Sequence, residues 1–391
     1  MASAAAVAPT VVMLAFDGLA PSLIESEVPP ALQRIQSEGA FSHHVIPEFP
    51  SSDSVSTFTL STGCRPATHG IVNDEFIDAK RGFYNGELDS SWLTDCEHLH
   101  SAAQRQGLQV ATWDWFDANG EAPHASSEDR VAAIIQTLQL PPSERPRLMI
   151  AHFDGPQDVV RTADLRTDAA RQAILRVDAI VGEVMQAIAA LPPSDPVTLL
   201  VTTNHGLLPV WTEVNLTRIL RDHGLDIEFA AAGMTAFLYI RNPEDRQPAI
   251  VALSSHPRQF QIYLKEAMPP ELNIGTSDRV GDFILVANPP YIIESERRWW
   301  SGTAWLAPWL PTLPFARPFL RAAAGYPPSV RGMPGVLYAW GAGVPQKREI
   351  PRLKLIDLHP TICRMLGINP GNPVDGAVVA DLVPATSPRA K

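Results

Sequence analysis

The sequence predicts an α/β fold in which a largely parallel central sheet carries helices on both faces. Short, continuous apolar runs recur along the chain and are typical of buried parallel strands. Amphipathic helical patterns lie between these runs, and strands that alternate with such helices imply a sheet with two covered faces. The composition agrees with a globular protein, since 45% of the 391 residues are hydrophobic and 19% are charged.

The first strand is predicted at Val11 to Phe16, where every residue is apolar. The clearest helix is predicted at Asp168 to Leu191. Its apolar positions repeat at intervals of three and four residues and are Ile174, Val177, Val181, Val184 and Ile188. The other predicted strands are Val110 to Trp113, Leu148 to Phe153, Val197 to Thr203 and Val336 to Trp340.

Functional residues are expected beyond the carboxyl ends of these strands, because ligands bind there in open α/β sheets. Asp17 follows the first strand, Asp154 follows the strand at Leu148, and the pair Asn204-His205 follows the strand at Val197. The sequence therefore predicts that these side chains share one edge of the sheet.

The stretch Phe49 to Phe76 is expected to bring hydroxyls and a carboxylate to the start of a helix. It reads FPSSDSVSTFTLSTGCRPATHGIVNDEF, and its Ser/Asp run precedes an apolar-periodic segment as a helix N-terminus does. Together with the carboxylate of Asp17, such a loop makes a site suited to anions or metals. An ordinary capped helix is the alternative interpretation.

The same stretch resembles the nucleophile region of the nucleotide pyrophosphatase/phosphodiesterase branch of the alkaline phosphatase superfamily. Without gaps, the shared positions are Pro50, Thr59, Leu60, Thr62, Gly63, Pro66, His69, Gly70, Ile71, Glu75 and Phe76. Two functional positions differ. The resemblance implies that Asp53 stands where the family has its nucleophilic threonine, and Asp74 where it has a phosphoryl-binding asparagine.

Later segments resemble the family in the same order. The resemblance implies an alkaline-phosphatase-like core at residues 1–205 and 331–383, a smaller accessory lobe at 206–330, and a disordered tail at 384–391. Residues 297–319, rich in Trp and Pro, match nothing in the family. An apolar lid over the site would make Trp299, Trp300 and Trp305 substrate-binding residues; packing against the core and an interfacial patch are the alternatives.

The resemblance also implies two zinc ions, yet several ligand positions have changed. One centre falls on Gln157, Arg161 and Ala324, none of which is a usual zinc ligand, so this centre is expected to be lost. Arg161 would supply positive charge there and could hold a carboxylate or phosphate. No metal or cofactor is expected; if one divalent ion is kept, its ligands are Asp17, Asp53, Asn204 and His205.

Without an ion, three carboxylates would crowd together, namely Asp17, Asp53 and Asp74. Like charges at short range raise the pKa of at least one carboxyl. A carboxylic acid held partly protonated beside His205 would form an acid/base pair.

The first functional hypothesis is a repurposed enzyme that performs metal-independent, or single-ion, acid/base chemistry on a small and partly apolar molecule. Candidate reactions are cyclisation, isomerisation, elimination and group transfer, as in specialised metabolism. The expected proton-transfer residues are Asp53, His205, Asp17 and Asp74. The expected substrate-binding residues, besides the three tryptophans, are Arg161, Gln157, Asn204 and Ser54.

Two alternatives remain open. One is a one-metal phosphodiesterase or ester hydrolase in which Ser52 or Ser54 takes over the role of nucleophile. The other is a catalytically inactive binding protein that keeps the fold for a partner.

The remaining expectations concern partners and compartment. A net charge of −11 without a Lys/Arg-rich run argues against nucleic acid as a partner. Met1 to Pro9 lacks a basic segment, so no signal peptide is expected, and no apolar run is long enough for a transmembrane segment. Three scattered cysteines, Cys64, Cys96 and Cys363, suit free thiols and hence the cytoplasm. His98 and His152 are assigned structural or exposed roles, like most of the other histidines.

Overall fold

The computed structural model describes residues 9–24, 28–116, 126–163, 165–272, 274–293, 322–371 and 373–383. Its strands are β1 (Thr10–Phe16), β2 (Ala40–Ile46), β3 (Phe76–Asp78), β4 (Gly82–Tyr84), β5 (Val110–Trp113), β6 (Leu148–Phe153), β7 (Val197–Thr203), β8 (Leu208–Pro209), β9 (Thr212–Val214), β10 (Glu228–Ala232), β11 (Thr235–Tyr239), β12 (Phe260–Leu264), β13 (Phe283–Ala287), β14 (Tyr291–Ile293), β15 (Ala322–Ala323), β16 (Gly335–Gly341), β17 (Arg348–Glu349) and β18 (Leu353–Lys354). Its α-helices are α1 (Pro21–Ile24), α2 (Pro30–Glu38), α3 (Asp53–Thr62), α4 (Pro66–His69), α5 (Leu99–Arg105), α6 (Ser127–Leu138), α7 (Gln157–Ala163), α8 (Asp168–Ala189), α9 (Leu216–Asp222), α10 (Arg246–Ser254) and α11 (Leu358–Leu366).

The main sheet has the strand order β17-β2-β16-β7-β1-β6-β5, with β18 also paired to β2. All of its pairings are parallel except those of β16, which runs antiparallel to both neighbours. The predicted fold class is therefore confirmed. Each of the five predicted strands is present, with ends within one residue of the prediction.

Strand β1 explains why both faces of this sheet are covered. Its seven residues are all buried, and alternate side chains point to opposite faces. Val12, Leu14 and Phe16 pack in the cluster that contains residues of α2, α6 and α8. Val11, Met13 and Ala15 pack in a second cluster with residues of α5 and α11.

Helix α8 ends at Ala189, two residues before the predicted end at Leu191. Pro192 and Pro193 follow Leu191, and a proline disfavours helical geometry in the residue before it. Among the described helices, none has both the length and the apolar content that a membrane crossing requires.

A second sheet lies within the region predicted as the accessory lobe. It is antiparallel, has the order β10-β11-β13-β12, and packs with α9 and α10 in its own apolar cluster. A further cluster joins this sheet to helix α3, since Val55 and Phe58 pack with Phe237 and Ile284. Helix α3, which begins at Asp53, is thereby held against the second sheet.

The free-thiol prediction is wrong for two of the three cysteines. Cys64 and Cys96 form a disulfide, whereas Cys363 is free and buried. Cys64 follows Gly63, which ends α3 in a left-handed conformation with φ of 69°. The argument from free thiols to the cytoplasm therefore loses its basis, because disulfides persist in oxidising surroundings. The compartment itself stays a prediction.

Reduction of the Cys64–Cys96 bond is expected to lower the free energy of unfolding by about 3–4 kcal/mol, because the bond closes a loop with a sequence separation of 32. Denaturant unfolding of Cys64→Ala/Cys96→Ala checks this value against the oxidised protein. Cys363→Ala is the control for losing a thiol without losing a crosslink. Equal stability of the oxidised protein and the double variant would contradict the expectation.

Candidate active site

The predicted row of polar residues is present at one edge of the main sheet. Asp17 follows β1, Asp154 follows β6, and Asn204 and His205 follow β7. These strands are adjacent and parallel, so their carboxyl ends lie side by side.

Two helices bring further side chains to this edge. Asp53 is the first residue of α3, and Gln157 and Arg161 lie four residues apart in α7 and so share a face. The backbone N–H of Gln157 donates to the carbonyl oxygen of Asp17. Gly18 permits this approach with φ of 67°, since a Cβ there would lie 2.9 Å from the Cβ of Gln157.

The carboxylate of Asp53 is the centre of the site. Nε2 of His205 lies 2.6 Å from Oδ1, and Nε2 of Gln157 lies 2.9 Å from Oδ1 and 3.0 Å from Oδ2. Nη2 of Arg161 donates to Oδ2 at 2.8 Å. Burial opposes ionisation, but the hydrogen bond from His205 and the charge of Arg161 outweigh it and hold the pKa of Asp53 well below its ordinary value.

The surroundings of His205 require an imidazolium ring. Its Nδ1 lies 2.9 Å from the carbonyl oxygen of Gly206, while Nε2 faces Asp53. Carbonyl and carboxylate oxygens only accept hydrogen bonds, so both ring nitrogens must donate. Burial works against the charge, but the hydrogen bond to Asp53 raises the pKa of His205 above its ordinary value.

Asp74 has the opposite environment. Burial and the negative charge of Asp53 raise its pKa above the ordinary value. Its Oδ1 accepts from the hydroxyl of Ser52 and from the backbone N–H of Ser54, both at 2.8 Å. Among the crowded carboxyls, Asp74 therefore has the raised pKa that the sequence predicted for at least one of them, whereas the pKa of Asp53 is lowered.

Asp17 is held by two nitrogen groups. Nδ2 of Asn204 donates to Oδ1 at 2.6 Å, and Nε2 of His152 lies 3.0 Å from the same oxygen. Burial opposes a charge on His152, but Asp17 and Asp114 raise its pKa to about 10. The positive charge of His152 therefore balances the negative charge of the Asp17 carboxylate.

The sequence reasoning missed His152. The signal was present in the predicted parallel sheet, because His152 pairs in register with Ala15, and Asp17 lies two residues further on the same face. A histidine near the end of the neighbouring strand is thus directed to the same side of the sheet as the carboxylate.

The residues do not fit two zinc ions. Where the resemblance places the second ion, the guanidinium of Arg161 and the amide of Gln157 contact Asp53, and Ala324 offers no ligand atom. At the first position, His205 is directed to Asp53, and Asp17 to Asn204 and His152. These side chains thus bind one another, and an ion at this position would have to displace their contacts.

A different group of possible ligands lies at the ends of β5 and β6. Ligand atoms of Asp114, His152 and Asp154 lie within 4.8 Å of one another. However, Arg130 lies 2.6 Å from Asp114 and 3.9 Å from Asp154, and its charge opposes a cation between these carboxylates. This group therefore fits a metal poorly.

We expect the thermal midpoint of the protein to be insensitive to EDTA and to added Zn²⁺, Mg²⁺ or Mn²⁺, because protein donors already occupy the ligand positions. An ion at a hundred times its dissociation constant would add about 2.7 kcal/mol, which calorimetry would resolve. Elemental analysis of protein purified without a metal-binding tag provides the second readout. Two equivalents of zinc would contradict the expectation.

The open part of the site is a cleft of about 250 Å³. It is lined by Ser52, Asp53, Ser54, Asp74, Glu75, Asn85, Gly86, Arg161, Ala231, Ala232, Gly233, Ala323 and Ala324. The side chain of Asp53 is 31% exposed. Asn204 is not among the residues that line the cleft, and its amide is bonded within the protein. The Ser54 hydroxyl donates to the carbonyl oxygen of Gly86. Trp299, Trp300 and Trp305 lie outside the described residues.

Comparisons with known proteins agree with this fold. The profile of the family described as type I phosphodiesterase/nucleotide pyrophosphatase matches residues 11–305. Human ectonucleotide pyrophosphatase/phosphodiesterase family member 1 is 22% identical over 306 residues, which are 69% of this chain and 32% of that protein. Venom phosphodiesterase 2 of Crotalus adamanteus is 20% identical over 393 residues, 92% of this chain and 45% of that protein.

The chain thus spans less than half the length of these curated relatives. Among solved structures, murine ectonucleotide pyrophosphatase/phosphodiesterase 5 superposes with a TM-score of 0.82 at 20% identity, covering 96% of this chain and all of that one. An inactive threonine-to-alanine variant of the murine protein in complex with AMP superposes equally well. At this identity, the likeness of the structures shows the fold.

Proposed function

The chain belongs to the type I phosphodiesterase/nucleotide pyrophosphatase family, and on that premise we propose that it is an enzyme that replaces metal-based chemistry by acid/base chemistry on a small, partly apolar molecule. One observation carries the proposal. The Asp53 carboxylate, at the nucleophile position, is bound by His205, Gln157 and Arg161. Positively charged and amide groups thus surround it where the family resemblance places metal ions.

This arrangement does not support the family's own reaction at that position. An aspartate has no hydroxyl group, so it cannot form the phosphate ester that a threonine forms. Stabilisation of phosphoryl transfer also rests largely on metal charge, and losing it costs several kcal/mol of barrier. A carboxylate with a histidine partner suits proton transfer instead.

The two carboxyls of the cleft have different roles. The pKa of Asp53 is lowered and that of Asp74 is raised, and such a divergence separates a base from an acid. Both hydrogen bonds to Asp74 are at Oδ1, which leaves Oδ2 for a substrate in the cleft. Asp74 therefore delivers a proton and the ionised Asp53 carboxylate accepts one, since both ring nitrogens of His205 already carry a proton, and Arg161 orients the substrate. Cyclisation, isomerisation, elimination and group transfer can each use such a pairing.

A deuterium-exchange screen tests the proposal without knowledge of the substrate. Chelator-treated protein is incubated with a panel of small neutral and partly apolar molecules in D₂O, and proton NMR follows solvent deuterium entering carbon positions or new product signals. We expect at least one compound to react, and Asp74→Asn to slow that reaction. Activity that requires an added metal ion would overturn the proposal.

Hydrolysis of a phosphodiester or ester is a second candidate function because of one contact. The hydroxyl of Ser52 donates to Asp74 at 2.8 Å, as a serine nucleophile does to its base. The relatives named above as phosphodiesterases favour this class of reaction. Under this alternative, Ser52→Ala removes hydrolysis of bis-p-nitrophenyl phosphate, whereas Ser54→Ala is the matched control. Hydrolysis that survives both changes and EDTA excludes it.

A further inference from the structure

A second groove, of about 1200 Å³, shares none of its lining residues with the catalytic cleft. Its lining includes residues of β2 and of the segment after it, together with residues from the segments 270–272 and 328–334. Nothing in the acid/base chemistry of Asp53 uses it.

The groove concentrates positive charge on an acidic protein. Its cationic residues are Arg65, Arg166, Arg331, Arg352 and Lys354, and its carboxylates are Glu48 and Glu271. Arg65 lies 3.9 Å from Glu48. The other four cations are exposed, and none of them forms an ion pair with a described residue. The chain as a whole carries a net charge of −11, so the charge of this groove has the opposite sign to the net charge of the protein.

The same groove also has an apolar component. Trp211 lines it and is 65% exposed, the highest exposure among the large hydrophobic residues that the structure describes. Phe49 and Leu207 contribute buried apolar side chains to the lining. An exposed tryptophan next to an apolar floor is typical of the residues that anchor a protein partner.

We propose that this groove docks an extended, acidic peptide segment of a partner protein. Carboxylates of the segment pair with the unpaired cations, and one of its apolar side chains packs on Trp211. Four chain segments contribute the cations, at residues 65, 166, 331 and 352–354, and an extended chain with several carboxylates can pair with more than one of them. The assignment does not rest on the acid/base function.

Charge and shape favour a peptide over other polyanions. A membrane surface is broad and does not enter a groove between two parts of a fold. A nucleic acid carries charge along its whole length and would be repelled by the acidic surface outside the groove. A peptide can alternate carboxylates with apolar side chains, which matches a groove that offers both kinds of contact.

Fluorescence anisotropy with labelled peptides tests the proposal. The probe is a fluorescein-labelled synthetic peptide of Glu and Leu, and its twin carries Gln in place of Glu. We expect saturable, salt-sensitive binding of the Glu peptide alone. Arg331→Glu/Arg352→Glu is expected to weaken it at least about tenfold, since each reversal removes an attraction and adds a repulsion. Trp211→Ala is expected to weaken it several-fold at unchanged charge.

The double variant Arg258→Glu/Arg364→Glu is the matched control, because it changes net charge equally at exposed arginines outside the groove. Equal weakening by this control would show a general charge effect and overturn the proposal. The proposal would also be overturned if the Glu peptide showed no saturable binding, or if an oligonucleotide or phosphatidylserine vesicles bound equally well. Circular dichroism confirms that each variant is folded.

Discussion

Asp53→Asn is expected to reduce turnover about a thousandfold or more while the protein stays folded. The change keeps the size of the side chain but removes the charge that holds His205 and Arg161 in place. General acid/base groups contribute factors of about 10² to 10⁴, and this carboxylate is both base and organiser of the site. Turnover of the compound found by deuterium exchange is the primary measurement.

A second readout separates this role from a structural one. In the parent protein, Nε2 of His205 donates to a carboxylate, and the ring is an imidazolium. With an amide in place of the carboxylate, the ring is expected to become neutral at pH 7, which nitrogen NMR detects. Asp154→Asn, at the same sheet edge, is the matched control, because the side chain of Asp154 is exposed and does not contact His205. Full turnover of Asp53→Asn would refute the proposed role.

Acidification below pH 6.5 is expected to unfold the protein through three buried histidines. Burial lowers the pKa of His69 to about 3, of His98 to about 3 and of His359 to about 4. The unfolded chain takes up these protons near pH 6.5, whereas the folded chain does not, so stability falls as the pH drops between those values. By pH 4.5 each histidine lowers the free energy of unfolding by roughly 2–3 kcal/mol. The three reductions together approach the whole stability of a typical domain.

Urea unfolding as a function of pH measures this loss. His359 donates from Nδ1 to the carbonyl oxygen of Ser61 at 2.8 Å, a contact that a glutamine amide can also make. His359→Gln is therefore expected to reduce the pH slope by about one proton, or roughly 1.4 kcal/mol per pH unit. His256→Gln, at a partly exposed position, is the control. A stability that is level between pH 6.5 and 4.5 would contradict the expectation.

The strands and α3 could be predicted because they depend on local patterns. The continuous apolar run of β1 and the Ser/Asp start of α3 are properties of neighbouring residues. The prediction of Asp53 and Asp74 as site residues came from the resemblance of a single stretch to the nucleophile region of the family. The Cys64–Cys96 bond was mispredicted, because pairing depends on how two distant segments approach each other, which cysteine spacing does not reveal.

In the site too, the sequence could indicate residues but not the partners that they contact. For Arg161, the sequence could indicate a lost metal ligand but could not choose a partner, and the structure pairs it with Asp53. His152 was overlooked because its contact with Asp17 arises from the register of β6 against β1.

By itself, the sequence determined the α/β class and the strand-end positions of Asp17 and His205, and its family resemblance led to the expectation that zinc ligands are missing at residues 157, 161 and 324. Only the tertiary structure decided which cation neutralises which carboxylate, that the pKa of Asp74 rises while that of Asp53 falls, and that exposed cations and Trp211 line one groove. The physical reason is that apolar periodicity is encoded over a few residues. Electrostatic interactions depend instead on distances of a few ångströms between side chains far apart in the chain, which strand register and helix packing set.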